Sequence, residues 1–192
     1  MQIVSFVAII ILACGMYLLW IVLAAPFYMS PHQEKWNKPV GKSVQKITED
    51  RLYIPTLKLN LTFKSGDASV LDFNVWHRFP ERGDPEKGGN FILAGHRFEM
   101  APTPGEVIRK SPFYNIDKLI AGDKIYVDFK GKRYEYTIIE KITVKPTQLE
   151  IESPSKEPKM TLYTCTLGGT TDGREVIIAH VVAKDIDPAR AP

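Results

Sequence analysis

Lys124-Ile125-Tyr126-Val127-Asp128-Phe129-Lys130-Gly131-Lys132-Arg133-Tyr134-Glu135-Tyr136-Thr137-Ile138-Ile139 is where the fold class becomes readable. Two runs rich in β-branched and aromatic residues flank Lys130-Gly131-Lys132, and glycine supplies the positive φ that a tight hairpin needs. This reads as two antiparallel strands. Working outward, Ala121-Gly122-Asp123 is a turn into the first of them. Further short β-type runs cover Leu52–Ile54, Lys58–Phe63, Phe91–Ala94, Lys141–Val144, Met160–Cys165 and Glu175–Lys184. Helical signals are few: Val70–Val75, and Phe113–Leu119 with apolar residues Phe113, Ile116, Leu119 and Ile120 at helical spacing. The pattern predicts an all-β domain, closed or nearly closed into a barrel, with small helices on its connections.

The chain has 192 residues, 44% hydrophobic and 24% charged, which fits one ordinary domain plus something extra. That extra piece is at the front. Ile3–Ala25 carries no charge over about 23 residues, enough to cross a hydrocarbon core of roughly 30 Å. Pro26 ends it, and Trp20 suits the interface. A cleaved signal peptide is disfavoured because Met1-Gln2 supplies no basic n-region. Ile11-Leu12-Ala13-Cys14-Gly15 faintly resembles a lipoprotein processing site, but the apolar run continues well past it. A buried core helix would be shorter. The expected layout is therefore a transmembrane anchor over 1–29, a polar linker over 30–50 and a catalytic barrel domain over 51–187.

The formal net charge is only +3, with Lys and Arg interspersed among Asp and Glu, so nucleic acid is not an expected partner. Lys35, Lys38 and Lys42 follow the apolar run and no basic residue precedes it. Taken alone that bias puts the domain inside, although long domains translocate largely regardless of flanking charge.

Three segments carry the chemistry. Gly89-Asn90-Phe91-Ile92-Leu93-Ala94-Gly95-His96-Arg97 is an apolar strand delivering a histidine. Met160-Thr161-Leu162-Tyr163-Thr164-Cys165 delivers a cysteine at its end, and Arg174 opens a third apolar strand nine residues later. With Cys14 in the apolar helix, Cys165 is an unpaired thiol. Only a thiolate is a good nucleophile, and an imidazolium and a guanidinium nearby both favour it. The histidine can return a proton to a leaving amine, and the arginine can donate to an oxyanion.

Thr161-Leu162-Tyr163-Thr164-Cys165 matches the Thr-Leu-x-Thr-Cys signature of sortases, the cysteine transpeptidases of bacterial cell surfaces. Gly95-His96-Arg97 resembles the segment bearing their catalytic histidine, and Arg174 falls where their catalytic arginine does. The resemblance runs from Leu52-Tyr53-Ile54-Pro55 through Phe113-Tyr114-Asn115 and Lys118 to Val182. It implies an eight-stranded β-barrel behind one membrane anchor, facing outside. It also implies catalytic roles for His96, Cys165 and Arg174, with Ala94, Thr164 and Arg97 contacting substrate. The implied reaction cleaves a Leu-Pro-x-Thr-Gly-like signal at Thr-Gly through a thioacyl intermediate. An amine of the cell wall or of a pilin then takes the acyl group. No cofactor is implied. Leu167 stands where many relatives have proline. No Asp-Pro-aromatic lid precedes Arg51 and no C-terminal transmembrane helix appears, which disfavours the pilin-polymerising type.

Other readings compete with this one. A cysteine protease would pass the acyl group to water; the papain order, cysteine before histidine, is the reverse of this one. A silent, membrane-tethered peptide-binding module would have no need of all three reactive residues. His77, in a loop after Trp76, and His180, in the last strand, read as structural, with His180 a minor candidate for the site edge; His32 lies in the linker. One cysteine with scattered histidines does not make a zinc site. Asp123, Asp128, Glu150 and Glu152 form no dense calcium loop and read as solvated surface.

Overall fold

The computed structural model describes residues 2–28, with side chains over 10–23, and residues 47–187. After α1 (Gln2–Tyr28) come β1 (Arg51–Ile54), β2 (Leu59–Lys64), β3 (Val75–Arg78), β4 (Gly83–Asp84), β5 (Gly88–Ala94) and α2 (Pro104–Lys110). Then follow β6 (Lys124–Phe129), β7 (Lys132–Val144), β8 (Lys159–Thr166) and β9 (Gly169–Lys184). Most of the expected linker, with His32, lies outside the described residues.

The strand order β3-β2-β1-β6-β7-β9-β8-β5 closes through a β3–β5 pairing, and two-residue β4 adds to β5. Eight strands thus form the expected barrel. Closure leaves no long unpaired edge. The β6–β7 hairpin forms as read: Lys130 and Gly131 take φ of 49° and 81° between Phe129 and Lys132, which pair. Positive φ at both central residues matches the right-handed twist of the strands.

The sequence shows two runs separated at Glu140, whereas the structure has one strand, β7, with an irregularity between Ile138 and Glu140. The extra residue reverses which side even-numbered positions face. Tyr134, Tyr136 and Ile138 enter the barrel core, while Ile142 and Val144 join an apolar cluster on its outer face. A period-two pattern loses phase at such a bulge, which explains the apparent break.

Other differences are local. Val75–Arg78 is a strand, so His77 lies in β3 rather than a loop. The expected helices over Val70–Val75 and Phe113–Leu119 are reduced to 3₁₀ turns at Ala68–Asp72 and Ile116–Lys118. In the connection after β5, α2 is capped by Thr103, whose Oγ1 accepts from the Glu106 N–H, and begins at Pro104. That is an ordinary cap with proline at the first helical position.

Helix α1 has 27 residues and lies against α2 through Ile21, which packs with Ala101 and Val107; Tyr17 Oη donates to the Pro102 carbonyl. Among the described residues no helix is long and apolar enough to cross a membrane.

Candidate active site

Alternation along the strands sorts side chains between the barrel interior and its outer face. On β8, Met160 and Leu162 belong to the core, and Tyr163 belongs to the outer cluster with Ile92, Ala94 and Val176. Cys165, two residues beyond Tyr163, therefore lies on the outer face. It is partly exposed and unpaired. Arg174 is its direct cross-strand partner on β9, two residues before outward-facing Val176, so the two share one face.

His96 arrives by a different route. Strands β5 and β8 pair in parallel with Ala94 opposite Tyr163, and the Gly95 N–H continues the ladder to the Tyr163 carbonyl at 3.2 Å. His96 follows two residues after Ala94, just past the end of β5, and Cys165 follows two residues after Tyr163 on the neighbouring β8. The topology thus pairs Cys165 with Arg174 and runs the segment bearing His96 beside the strand that carries Cys165.

Packing holds the histidine there. The Phe113 N–H donates to the His96 carbonyl at 3.2 Å, and a Cβ at Gly95 would stand 2.5 Å from the buried Phe113 ring. Only glycine lets that ring close on the backbone at this point. The His96 side chain is 30% exposed, with Nδ1 4.0 Å from the Glu99 carboxylate. Arg174 Nη1 donates to the carbonyls of Thr170 and Gly173 at 3.0 and 2.9 Å, which fixes one arm of the guanidinium. Leu167 is exposed in the tight turn between β8 and β9, where Thr166 pairs with Gly169.

The three residues expected to contact substrate sit differently. Ala94 is on the outer face. Thr164 is 2% exposed on the opposite side of β8, and its hydroxyl has no hydrogen-bond partner among the described residues. Arg97 is buried, with Nη2 2.7 Å from the Asp117 carboxylate. His180 is exposed and pairs with Lys159 and Thr137, many residues from the Arg174 end of β9.

Two carboxylates read as solvated are not. Asp128 is buried and receives a bidentate pair from Arg133, Nε to Oδ1 at 2.6 Å and Nη2 to Oδ2 at 2.8 Å. Glu152 is buried against Arg78 and Tyr163. Arg78 is distant from Glu152 in sequence, whereas Arg133 is set directly opposite Asp128 by the Lys130-Gly131 turn. The Tyr163 hydroxyl is held well above its usual pKa, first by burial and then by its bond to Glu152, with Arg78 opposing. A cavity of about 340 Å³ lies elsewhere, between β2, the turn at Ala68–Asp72 and α2; His96, Cys165 and Arg174 do not line it.

The sortase-domain family model matches residues 52–182. Sortase A of Listeria monocytogenes is 32% identical over 130 residues, covering 67% of this chain and 54% of that protein. Sortase E1 of Streptomyces coelicolor is 31% identical over 147 residues, covering 68% of this chain and 39% of that protein. The chain spans about half the length of the curated relatives it matches. In three dimensions, the Listeria sortase A crystal structure superposes with a TM-score of 0.61 at 24% identity, covering 72% of this chain and 90% of that one. The crystal structure of Streptomyces coelicolor sortase E1 with a tripeptide in its active site gives 0.59 at 26% identity, covering 75% and 93%. A family match across the whole barrel, with that barrel closed in the same way, makes this chain a member of the sortase family.

Proposed function

We propose that the chain is a cysteine transpeptidase, tethered to the cell membrane by α1 with its barrel outside. It cuts a Leu-Pro-x-Thr-Gly-like signal between Thr and Gly. The Cys165 thiolate adds to the threonine carbonyl carbon, and the oxyanion that develops is stabilised by N–H donors of Arg174 not engaged by Thr170 and Gly173. As the C–N bond breaks, protonated His96 gives its proton to the departing glycine amine, leaving a thioester. An incoming amine, from the cell wall or from another protein, adds to the thioester and loses a proton to His96. Cys165 then leaves as thiolate. Ala94 faces the bound peptide, while Thr164 and Arg97 are buried behind that surface.

The observation that carries this reading is the register: Cys165 opposite Arg174, and the parallel β5–β8 pair whose last partners, Ala94 and Tyr163, each stand two residues before His96 and Cys165. The uncharged stretch of α1 supports the tether, and the barrel's likeness to a sortase with a tripeptide in its active site supports a peptide substrate.

The test is direct. A labelled sorting peptide incubated with the full chain should give an adduct at Cys165 by mass spectrometry, and an added amine should convert it to an amide product. Replacing Cys165 with Ala should abolish the adduct. Turnover persisting in Cys165→Ala, or hydrolysis unaffected by amine, would contradict the mechanism.

A further inference from the structure

The segment between β7 and β8, residues 145–158, contains only one 3₁₀ turn, at Leu149–Glu152, yet its middle is tied down unusually densely. Glu152 Oε1 accepts from Tyr163 Oη at 2.5 Å and pairs with Arg78 Nη1 at 2.7 Å. Arg78 Nη1 also donates to Tyr163 Oη at 2.8 Å, closing a triangle. The backbone is clamped as well. Arg82 Nη1 donates to the Glu152 carbonyl at 2.7 Å, and Asn90 Nδ2 donates to the carbonyls of Ile151 and Ser153 at 3.0 and 2.8 Å. Asn90 is itself oriented by Thr161 Oγ1 at 2.7 Å on Oδ1.

These contacts come from β3, β5, β8 and the connection after β3. They converge on three residues, Ile151 to Ser153. The result is geometric: Ile151 is pressed onto the outer cluster of Ile92, Ala94, Tyr163 and Val176, the same face that carries Cys165 at its edge. Tyr163 lies two residues before Cys165 on the same side of β8. The Arg78 guanidinium is held over the Trp76 and Phe79 rings, 5.1 and 4.6 Å from their centroids, so the cation is fixed independently of Glu152.

We propose that Glu152 is a positioning residue whose pairing with Arg78 and Tyr163 presets the 145–158 segment as one wall of the peptide site. This rests on the transpeptidase reading for the identity of the ligand. The physical reason is entropic. A loose connection of this length would have to be ordered when peptide binds, and that loss would be subtracted from affinity; a wall ordered beforehand removes it. Its effect therefore falls on KM, because the wall does not touch the atoms that react.

The experiment uses the full chain and the variants Glu152→Ala, Glu152→Gln and Tyr163→Phe, with a Leu-Pro-x-Thr-Gly peptide as probe. Four quantities are read: KM, kcat, hydrogen exchange of amides 145–158, and the alkylation rate of Cys165 by iodoacetamide, which needs no peptide site. In Glu152→Ala we expect KM to rise about tenfold or more with kcat changed less than threefold. Exchange over 145–158 should accelerate, with Cys165 alkylation within twofold of wild type. Glu152→Gln, which keeps an acceptor for Tyr163, should recover part of the KM.

Unchanged exchange, faster exchange without a rise in KM, or a loss confined to kcat would each overturn the proposal. So would an alkylation rate that falls in parallel with turnover, since that would mean the nucleophile itself was disturbed. Should Glu152→Ala fail to fold, Tyr163→Phe removes a single oxygen and is read the same way, with a smaller rise in KM. If wild type forms no acyl-enzyme with the peptide, the transpeptidase reading fails by itself. The exchange arm then still decides whether Glu152 holds the segment.

Discussion

Arg174 shows how one residue divides its donors. Nη1 is committed to the Thr170 and Gly173 carbonyls, so the side chain is oriented by the turn that precedes it. Removing a donor aimed at a developing oxyanion typically costs about 10²–10³-fold in rate. Arg174→Ala should lower kcat/KM by that order in a peptide-cleavage assay while leaving the melting temperature nearly unchanged; an effect below threefold would remove Arg174 from the mechanism. His77 makes a prediction of another kind. It is 3% exposed, with Nε2 3.1 Å from the Gly83 carbonyl and Nδ1 3.2 Å from Ser65 Oγ. Burial lowers its pKa, outweighing the bond to Gly83 and the Asp84 charge. The unfolded chain therefore binds a proton below its ordinary value of 6.5 that the folded chain does not yet bind. Stability should be full above about pH 6.5 and decline as pH falls from there to the depressed folded value. Urea titrations between pH 7.5 and 5 should show that slope, and His77→Gln should flatten it. From the sequence this histidine was legible as structural; its strand was not, because Val75–Arg78 is too short to display a period.

At the scale of elements, the hairpin and the bulge teach opposite lessons. Lys130-Gly131 needs only its own two residues and their neighbours, so sequence was enough to locate it. A Cβ on Gly131 would meet no atom within 4 Å, and its φ is +81°. Gly131→Ala should therefore cost about 1–2 kcal/mol from backbone strain alone. Chemical denaturation would measure that loss, and kcat/KM per folded molecule should stay the same. The irregularity in β7, in contrast, depends on the partner: Ile138 pairs with Ala179 and Glu140 with Ile178, so one residue is left over. No local preference demands it. Likewise the 3₁₀ turn at Leu149–Glu152 is invisible as a pattern, since its stability comes from Arg78, Arg82, Asn90 and Tyr163 rather than from its own residues.

For the whole molecule, the proposed division into anchor, linker and barrel makes its own prediction. Residues 47–187 contain the main core, the site and every strand among the described residues, with α1 attached through a small cluster around Ile21. Expressed alone, that part should remain in aqueous solution and form the same Cys165 adduct with a sorting peptide, whereas the full chain should sediment with membranes; fractionation and mass spectrometry would check both. What the sequence determined by itself is whatever short-range chemistry controls: the β-rich pattern, the Lys130-Gly131 turn, the uncharged run before Pro26, and the local signatures around His96, Cys165 and Arg174. What only the tertiary structure decided is which of those residues meet. The β5–β8 pair is parallel and joined by a long connection, and neither its register nor its closure through β3 is encoded in any window of neighbouring residues. The same holds for Glu152, whose charge looks like surface along the chain and becomes a buried brace because β3 and β8 bring Arg78 and Tyr163 to it.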